Sequence, residues 1–560
     1  MLSFGVAKFK SLLLAGSVGV AVNFAMDLVN SMVAGHLVGA DALSAVNLAA
    51  PLISAAGFLA GLVSTGVATN YSFEMGRLDR QHARRYFTQG VWMSLGFGGA
   101  LSLAIALGGG AFIDFLGPSE AVARSAAGYL RWAVPIPVTY CLEMLLMLIV
   151  CADGDSRFCS LAYGCALVVD MTVSVTGARL GLGAAGCALG MLASQLSGIA
   201  ILAIHFFQKT NTVSMTKSFS LGDTWRISVA SFGDAASFLC EAALFLFINK
   251  FVIWRFGAEC LPVAAVVITL WGALELYNGI AIALQPIVSV YFGEGNTPAI
   301  RTVMRYALRL SLAEGAVFAL VLAAFPSAVV RLVGGLDDPA LVAAAAPAVR
   351  MLSVAFLAQA VAGLFNSYYM FVARPFLASV ITFAAYLVMP VLGLSLGAML
   401  GGFNGMWAGF AMAPVAALAA VGAGLLIRYG RSHFPLLLSR EREGRVMVFN
   451  LPLEEREIVR VSQEIAKLEG VPMRASLMVE EVLMVVRERA NGRRLLGEVT
   501  VDLNDGVQLT LRDDGEIFDI TDTDGAISSL RSFVVASVME RQRSRFNLVT
   551  TGFNRNVFRF

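Results

Sequence analysis

The chain has 560 residues, of which 58% are hydrophobic and 14% charged, with a formal net charge of +2. Soluble domains carry roughly 25% charged residues, so this composition excludes an ordinary soluble protein, and the small net charge gives no electrostatic footprint for nucleic acid. Seven cysteines and four histidines are scattered along the chain, which excludes a disulfide framework or a metal site with recognisable ligand spacing.

In chain order, apolar stretches fall near 11–35, 44–70, 90–113, 129–152, 158–178, 185–207, 228–254, 262–291, 306–333, 349–372, 376–399 and 405–427. Each is close to the ~20 residues that cross a bilayer as a helix. The first, after Lys8 and Lys10, runs too far to be the short core of a signal peptide. The spacing predicts an all-α polytopic membrane protein of about twelve spans. Basic residues cluster before the first span and after the second, sixth, eighth and last: Lys8, Lys10, Arg77, Arg84, Lys209, Arg226, Arg301 and Arg428 among them. The positive-inside rule then puts both termini in the cytoplasm.

The membrane part is written twice. Gly39-Ala40-Asp41-Ala42-Leu43 recurs as Gly257-Ala258-Glu259-Cys260-Leu261, an offset of 218 residues. Gly76, Asp79 and Arg84 recur as Gly293, Asn296 and Arg301, and Gly181 to Gly186 is echoed around Gly401-Gly402. Two six-helix lobes are expected, 1–215 and 216–434, entering the membrane the same way round and related by an axis along its normal.

After Pro435 the composition changes. A charged linker, Ser439 to Arg445, leads to a tail, 440–560, that reads as a small α/β domain on the cytoplasmic side. Val446 to Phe449 is strand-like, and helices are expected near 452–469 and 473–490. Asn504-Asp505-Gly506 between Val499–Leu503 and Val507–Leu511 is a hairpin signal. A third helix near 525–541 and a closing strand pair complete the expectation.

Acids inside the spans are costly and mark candidate function. Asp27, Asp170 and Glu241 lie ~25, ~20 and ~22 Å along their helices from the last basic residue, at 1.5 Å per residue. That depth is at or beyond the bilayer midplane. Such carboxylates suit proton carriage or, with further oxygen ligands, Na⁺. Asp234 shares a helix face with Glu241. Glu143, Glu275, Asn278 and Gln285 are further polar candidates for lining a cavity.

These residues resemble the multidrug and toxic compound extrusion (MATE) family. The resemblance rests on Met26-Asp27-Leu28 with Val38 to Val46, on Gly76 to Arg84, and on Ala152-Asp153-Gly154-Asp155-Ser156-Arg157. Gln285-Pro286-Ile287 with Tyr291-Phe292-Gly293 completes it over about 1–430. It implies a secondary antiporter exchanging organic cations or other amphiphiles for H⁺ or Na⁺. It also implies an ion-coupling site at Asp27 and Asp170, which would hold the metal if the ion is Na⁺. It matches Glu241 to a functional Glu in the family's seventh span, and Glu241 with Asp234, Glu275, Asn278 and Gln285, the last four read from the spans alone, is expected to contact substrate. The family's Asn four residues before the second Asp is Ala166 here.

The tail resembles GHKL-type ATP-binding domains of anti-sigma-factor kinases, through Val479-Glu480-Glu481-Val482-Leu483 and Arg512-Asp513-Asp514-Gly515. The resemblance gives Glu481 the place of a catalytic base, and Asp513 with Gly515 that of an adenine anchor. The Mg²⁺-binding Asn is replaced by Val485, which has no oxygen ligand, so weak or no Mg-ATP binding and negligible hydrolysis are expected. No Gly-x-x-x-x-Gly-Lys-Ser/Thr loop occurs, which argues against a P-loop pump. No cofactor is required beyond the coupling ion. The expected partners are membrane lipid, a cationic or amphiphilic small molecule and a regulatory protein at the tail. A lipid-linked or oligosaccharide flippase of the same superfamily and a membrane-tethered signalling module are the alternatives.

Overall fold

The computed structural model describes residues 3–560 apart from 39, 78, 117–119, 209–210, 218, 258–259, 335–338, 432, 439–444, 491, 505 and 516–553. The helix expected near 525–541 and the first of the closing strand pair lie outside the described residues, as do the side chains of Asp27, Asp234 and Glu275.

A first helix set comprises α1 (Phe4–Met32), α2 (Ala40–Gly76), α3 (Arg80–Leu116), α4 (Glu120–Ala133), α5 (Ile136–Ala152), α6 (Ser156–Arg179) and α7 (Ala184–Ala203). A second comprises α8 (Leu221–Phe256), α9 (Leu261–Gly272), α10 (Asn278–Gly293), α11 (Thr297–Ala324), α12 (Pro326–Gly334), α13 (Pro339–Phe371), α14 (Pro375–Phe383) and α15 (Met389–Tyr429). Among the described residues nine helices are long and apolar enough to cross a membrane, or ten if α4 and α5, bent by 47°, form one span. Leu107, Leu246 and Leu320 point outward from them, as a lipid-facing surface requires. The two sets meet where α2 packs on α8 and α10, and where α1 packs on α10.

The repeated glycines have a backbone reason. Gly183, before α7, has φ 60° and ψ −139°. Gly402, inside α15, has φ 60° and ψ −142°. Both break a helix in a conformation open mainly to glycine, so the apolar stretches 376–399 and 405–427 are separated at Gly401-Gly402. Asp79 and Asn296 also match in role. Asp79 accepts the His82 N–H at 3.0 Å, and Asn296 accepts the Ala299 N–H at 3.2 Å, each capping the helix that follows.

Among its described residues the tail forms a four-stranded antiparallel sheet in the order β1 (Val446–Pro452), β2 (Leu496–Asp502), β3 (Gln508–Asp513) and β4 (Asn554–Arg559). Two helices, α16 (Glu455–Ala466) and α17 (Met473–Arg489), cover one face. Alternation assigns the faces. Leu451, Val499, Val501, Leu509, Leu511 and Phe558 join Ile458, Val461, Val479 and Val482 of the helices in one core. The opposite face carries Asn450, Glu498, Thr500, Thr510, Arg512 and Arg555, in register across the four strands. That face is not solvated. It lies on the ends of the membrane helices, where Phe4 donates its N–H to Asn450 Oδ1 at 2.7 Å.

Candidate functional site

Two places concentrate chemistry. The first lies inside the first helix set. Asp170, in the apolar run of α6, is fully buried. Ser174, one turn on, donates to Asp170 Oδ1 at 3.3 Å. Across the gap α7 presents Gly190. A methyl group there would lie 2.0 Å from Ser174 Oγ and 2.7 Å from Asp170 Oδ1. Only a glycine leaves room for the carboxylate at this helix crossing. Nearby, Thr139 of α5 donates to Gln195 of α7. Glu143 of α5 sits against Gly198, where a methyl group would come within 2.1 Å of its Oε1. Thus α5, α6 and α7 turn a file of polar groups inward, and α1, which carries Asp27, packs along α6. Ala166, one turn before Asp170, is buried. An intramembrane carboxylate so enclosed is retained at a cost of several kcal/mol unless a proton or cation offsets it.

The remaining acids and amides are dispersed. Glu241 is half-buried on α8, and Asn278, at the start of α10, is exposed. Gln285 is buried and donates to Thr65 O at 3.2 Å and to Thr69 Oγ1 at 3.0 Å, so it ties α10 to α2. Among the described residues no group of three or more His, Cys, Asp and Glu side chains is arranged to hold a metal ion.

Sequence reasoning missed a buried cluster beside these helices. His205 holds Asp153 at 2.9 Å through Nε2 and Asp155 at 3.1 Å through Nδ1. Asp153 also accepts the Thr212 N–H at 3.0 Å. The cluster pins the segment after α7 to the α5–α6 turn. Its members are 52 residues apart, and the available signal was a pair of acids in a tight Asp-Gly-Asp turn with no apparent partner.

The second place is the seam between the tail and the helix ends, also unforeseen. There α2 and α10 touch at their equivalent glycines: a methyl group on Gly76 would lie 3.0 Å from Gly293 Cα and 2.5 Å from Val290 O. Arg555, from β4, spans this junction. It donates to Met75 O at 2.9 Å and Gly76 O at 2.8 Å, while its Nε lies 2.9 Å from Glu294 Oε1. Arg512, from β3, pairs with Glu294 and, at 2.5 Å, with Glu498. Tyr291 donates to Glu498 Oε2 at 3.0 Å, and Asn296 donates to Thr500 Oγ1 at 3.0 Å.

Arg512, Arg555, Glu294 and Glu498 are all buried, so among the described residues two cations meet two anions here. Burial and the neighbouring Arg512 guanidinium pull Arg555 down to about 10, against the opposing pull of Glu294. Burial also lowers Arg512, but the Glu294 and Glu498 carboxylates outweigh it and the net shift is upward. Glu294 follows the C-terminus of α10, where an acid opposes the helix dipole, and the two arginines offset that.

In the tail Glu481 is half-buried on α17, and Val485 is a core residue. Asp513 is buried, and its Oδ1 accepts the Gly515 N–H at 3.0 Å and the Asn554 amide at 2.8 Å. Burial raises its carboxyl to about 6.

A family model described as MatE matches residues 17–176 and 235–395. The chain belongs to the MatE family. Its two matched stretches begin at 17 and 235, the spacing of the sequence repeat. Solved structures agree at the level of the fold. "Crystal structure of MATE in complex with MaL6" is 18% identical with a TM-score of 0.71, covering 76% of this chain and 96% of that one. An outward-facing multidrug resistance MATE family transporter of the MOP superfamily is 17% identical with a TM-score of 0.70, covering 76% and 98%. A MOP superfamily transporter from Pyrococcus furiosus, described as having a reversed binding-pocket polarity that suggests a different function, is 18% identical with a TM-score of 0.70, covering 76% and 98%. No curated protein shows a significant match. As a MatE family member the chain is a multi-pass membrane transporter and not an enzyme in its membrane part. The tail strands lie beyond the matched stretches, so the GHKL resemblance gains no support from these comparisons.

Proposed function

We propose that this MatE family protein is an H⁺- or Na⁺-coupled antiporter that exports organic cations or other amphiphiles across the cell membrane. Two six-helix lobes, 1–215 and 216–434, alternate access, with both termini cytoplasmic. Asp170 carries the reading. A fully buried carboxylate with Ser174 beside it and Gly190 making room for it is best accounted for by a group that takes up and releases a cation during the cycle. Asp27 on the adjoining α1 is the second member of that site, and Glu241 on α8 is the contact for a cationic cargo.

The tail modulates transport and does not power it. Arg555 grips the end of α2 and the residue after α10 together, so opening on that side has to break or carry the tail with it. The coupling reading is tested in proteoliposomes loaded with a fluorescent cation, under a pH gradient and a sodium gradient applied separately. Asp170→Asn is expected to abolish efflux driven by whichever gradient drives the unmodified protein. Undiminished coupled efflux in the variant removes Asp170 from the coupling role, and flux indifferent to both gradients removes the antiporter.

A further inference from the structure

A cavity of about 630 Å³ opens beside the seam, lined by residues of both helix sets and of the tail. This is within the ~300–1,000 Å³ typical of small-ligand sites. Besides Arg555, three guanidinium-bearing residues reach it from three separate parts of the fold. Arg77 follows α2, Arg374 precedes α14, and Arg559 ends β4. Glu74, one turn before Arg77, acts on it only through space, and the direct contacts of the three are with neutral groups. Arg77 stacks over the Phe73 ring at 5.0 Å, Arg374 donates to Leu437 O at 3.1 Å, and Arg559 donates to Gln508 Oε1 at 2.9 Å. Among the described residues none of the three is in an ion pair, whereas the two deeper arginines, Arg512 and Arg555, are both matched by Glu294. Of the acids lining the cavity, Glu294 is thus already neutralised. Asp502 accepts the Asn504 N–H at 2.9 Å and keeps its charge, so it offsets one of the three guanidiniums.

Three guanidiniums outside any described ion pair, set against the lining carboxylate Asp502, make a surplus of fork-shaped donors, the geometry that recognises phosphate oxygens in pairs. The cavity also sits level with the ends of the apolar helices, because Gly76 closes one candidate span and Phe371 another. We propose that this cavity is a binding site for a phosphate-bearing anion, held by Arg77, Arg374 and Arg559 and bridging the two helix sets and the tail. The phosphate belongs to a membrane lipid head group or to a soluble phosphate compound, and basic pockets at this depth suit either.

The test uses the full-length protein in neutral detergent and in nanodiscs. In detergent, inorganic pyrophosphate is titrated by calorimetry. In nanodiscs, retention of phosphatidylglycerol over phosphatidylcholine is read by native mass spectrometry after extraction. Saturable binding of pyrophosphate identifies a soluble ligand, and selective retention of phosphatidylglycerol alone identifies a head group. Arg559→Gln and Arg77→Gln, both at exposed positions, are each expected to weaken the positive arm about tenfold. Both variants should melt at the unmodified protein's temperature when no phosphate compound is added. Absence of saturable binding in both arms overturns the proposal, as does binding undiminished in the Arg77→Gln/Arg559→Gln double variant.

Discussion

Replacing Arg555 with glutamine tests the clasp at the seam directly. The guanidinium makes two charge-assisted hydrogen bonds to Met75 O and Gly76 O and one contact with Glu294. Glutamine retains at most one of the carbonyl bonds and loses the charge. Removing one member of a buried ion pair costs about 3–5 kcal/mol. Arg512 still faces Glu294 in the variant, so the lower figure applies. About 3 kcal/mol moves a two-state equilibrium by roughly a hundredfold. The variant should therefore loosen the junction of α2 with α10 and favour separation of Gly76 from Gly293. Hydrogen exchange followed by mass spectrometry is the assay, on peptides covering 69–76 and 285–294. Their slowest amides should exchange up to a hundredfold faster, while Val499 and Leu511 of the tail core remain protected. Unchanged protection at both helix ends, with the tail core intact, would refute the reasoning, because the clasp would then hold nothing that the helices do not hold by themselves.

Asp513→Asn should stabilise the protein at neutral pH. Burial raises the folded carboxyl from its ordinary 3.8 to about 6, so the favourable protonated state is retained below pH 4 and lost as pH rises through 6. The gain is about 3 kcal/mol at pH 7.5, seen as a higher melting temperature, and it should vanish at pH 3.5. Gly402→Ala should lower thermal stability by about 1–3 kcal/mol, whereas Gly401→Ala, at φ −137°, should cost less. No atom lies within 4 Å of either added methyl, so a difference between the two isolates backbone strain, and equal melting temperatures would discard it. His205→Ala should free the segment after α7 and raise proteolysis near residues 206–216, while Asp153→Asn should produce the same cleavage pattern more weakly.

The tail shows what a sequence does and does not reveal. Apolar alternation from Val499 to Val501 and from Leu509 to Leu511 located the strands, and Asn504 to Gly506 located their turn, with Gly506 at φ 94°. The same alternation gives no hint of what Glu498, Thr500 and Arg512 meet, because polar residues at every second position look alike whether they meet solvent or a partner surface. Their partners, Tyr291, Glu294 and Asn296, are about 200 residues away, and nothing local encodes that pairing. Asp170 was legible for the opposite reason: a charge in an apolar run is conspicuous without any partner. Its neighbours Gly190 and Ser174 were not, since a glycine and a serine in an apolar helix have many ordinary uses. The helix breaks at Gly183 and Gly402 were marked by the repeat, although their shared φ and ψ emerge only in three dimensions.

The position of Arg555 in the chain also governs the order of assembly. Synthesis runs from the first residue, and earlier segments fold first. Both helices that Arg555 joins, α2 and α10, are made more than 250 residues before it. The membrane bundle therefore inserts and settles its two halves against each other while the junction at Gly76 and Gly293 is still unfastened. Only when β4 pairs with β3 does Arg555 reach Met75, Gly76 and Glu294. Strand β4 acts as a late fastening of a membrane assembly already in place. A chain that stalls before β4 would yield inserted helices without the bolt that joins them.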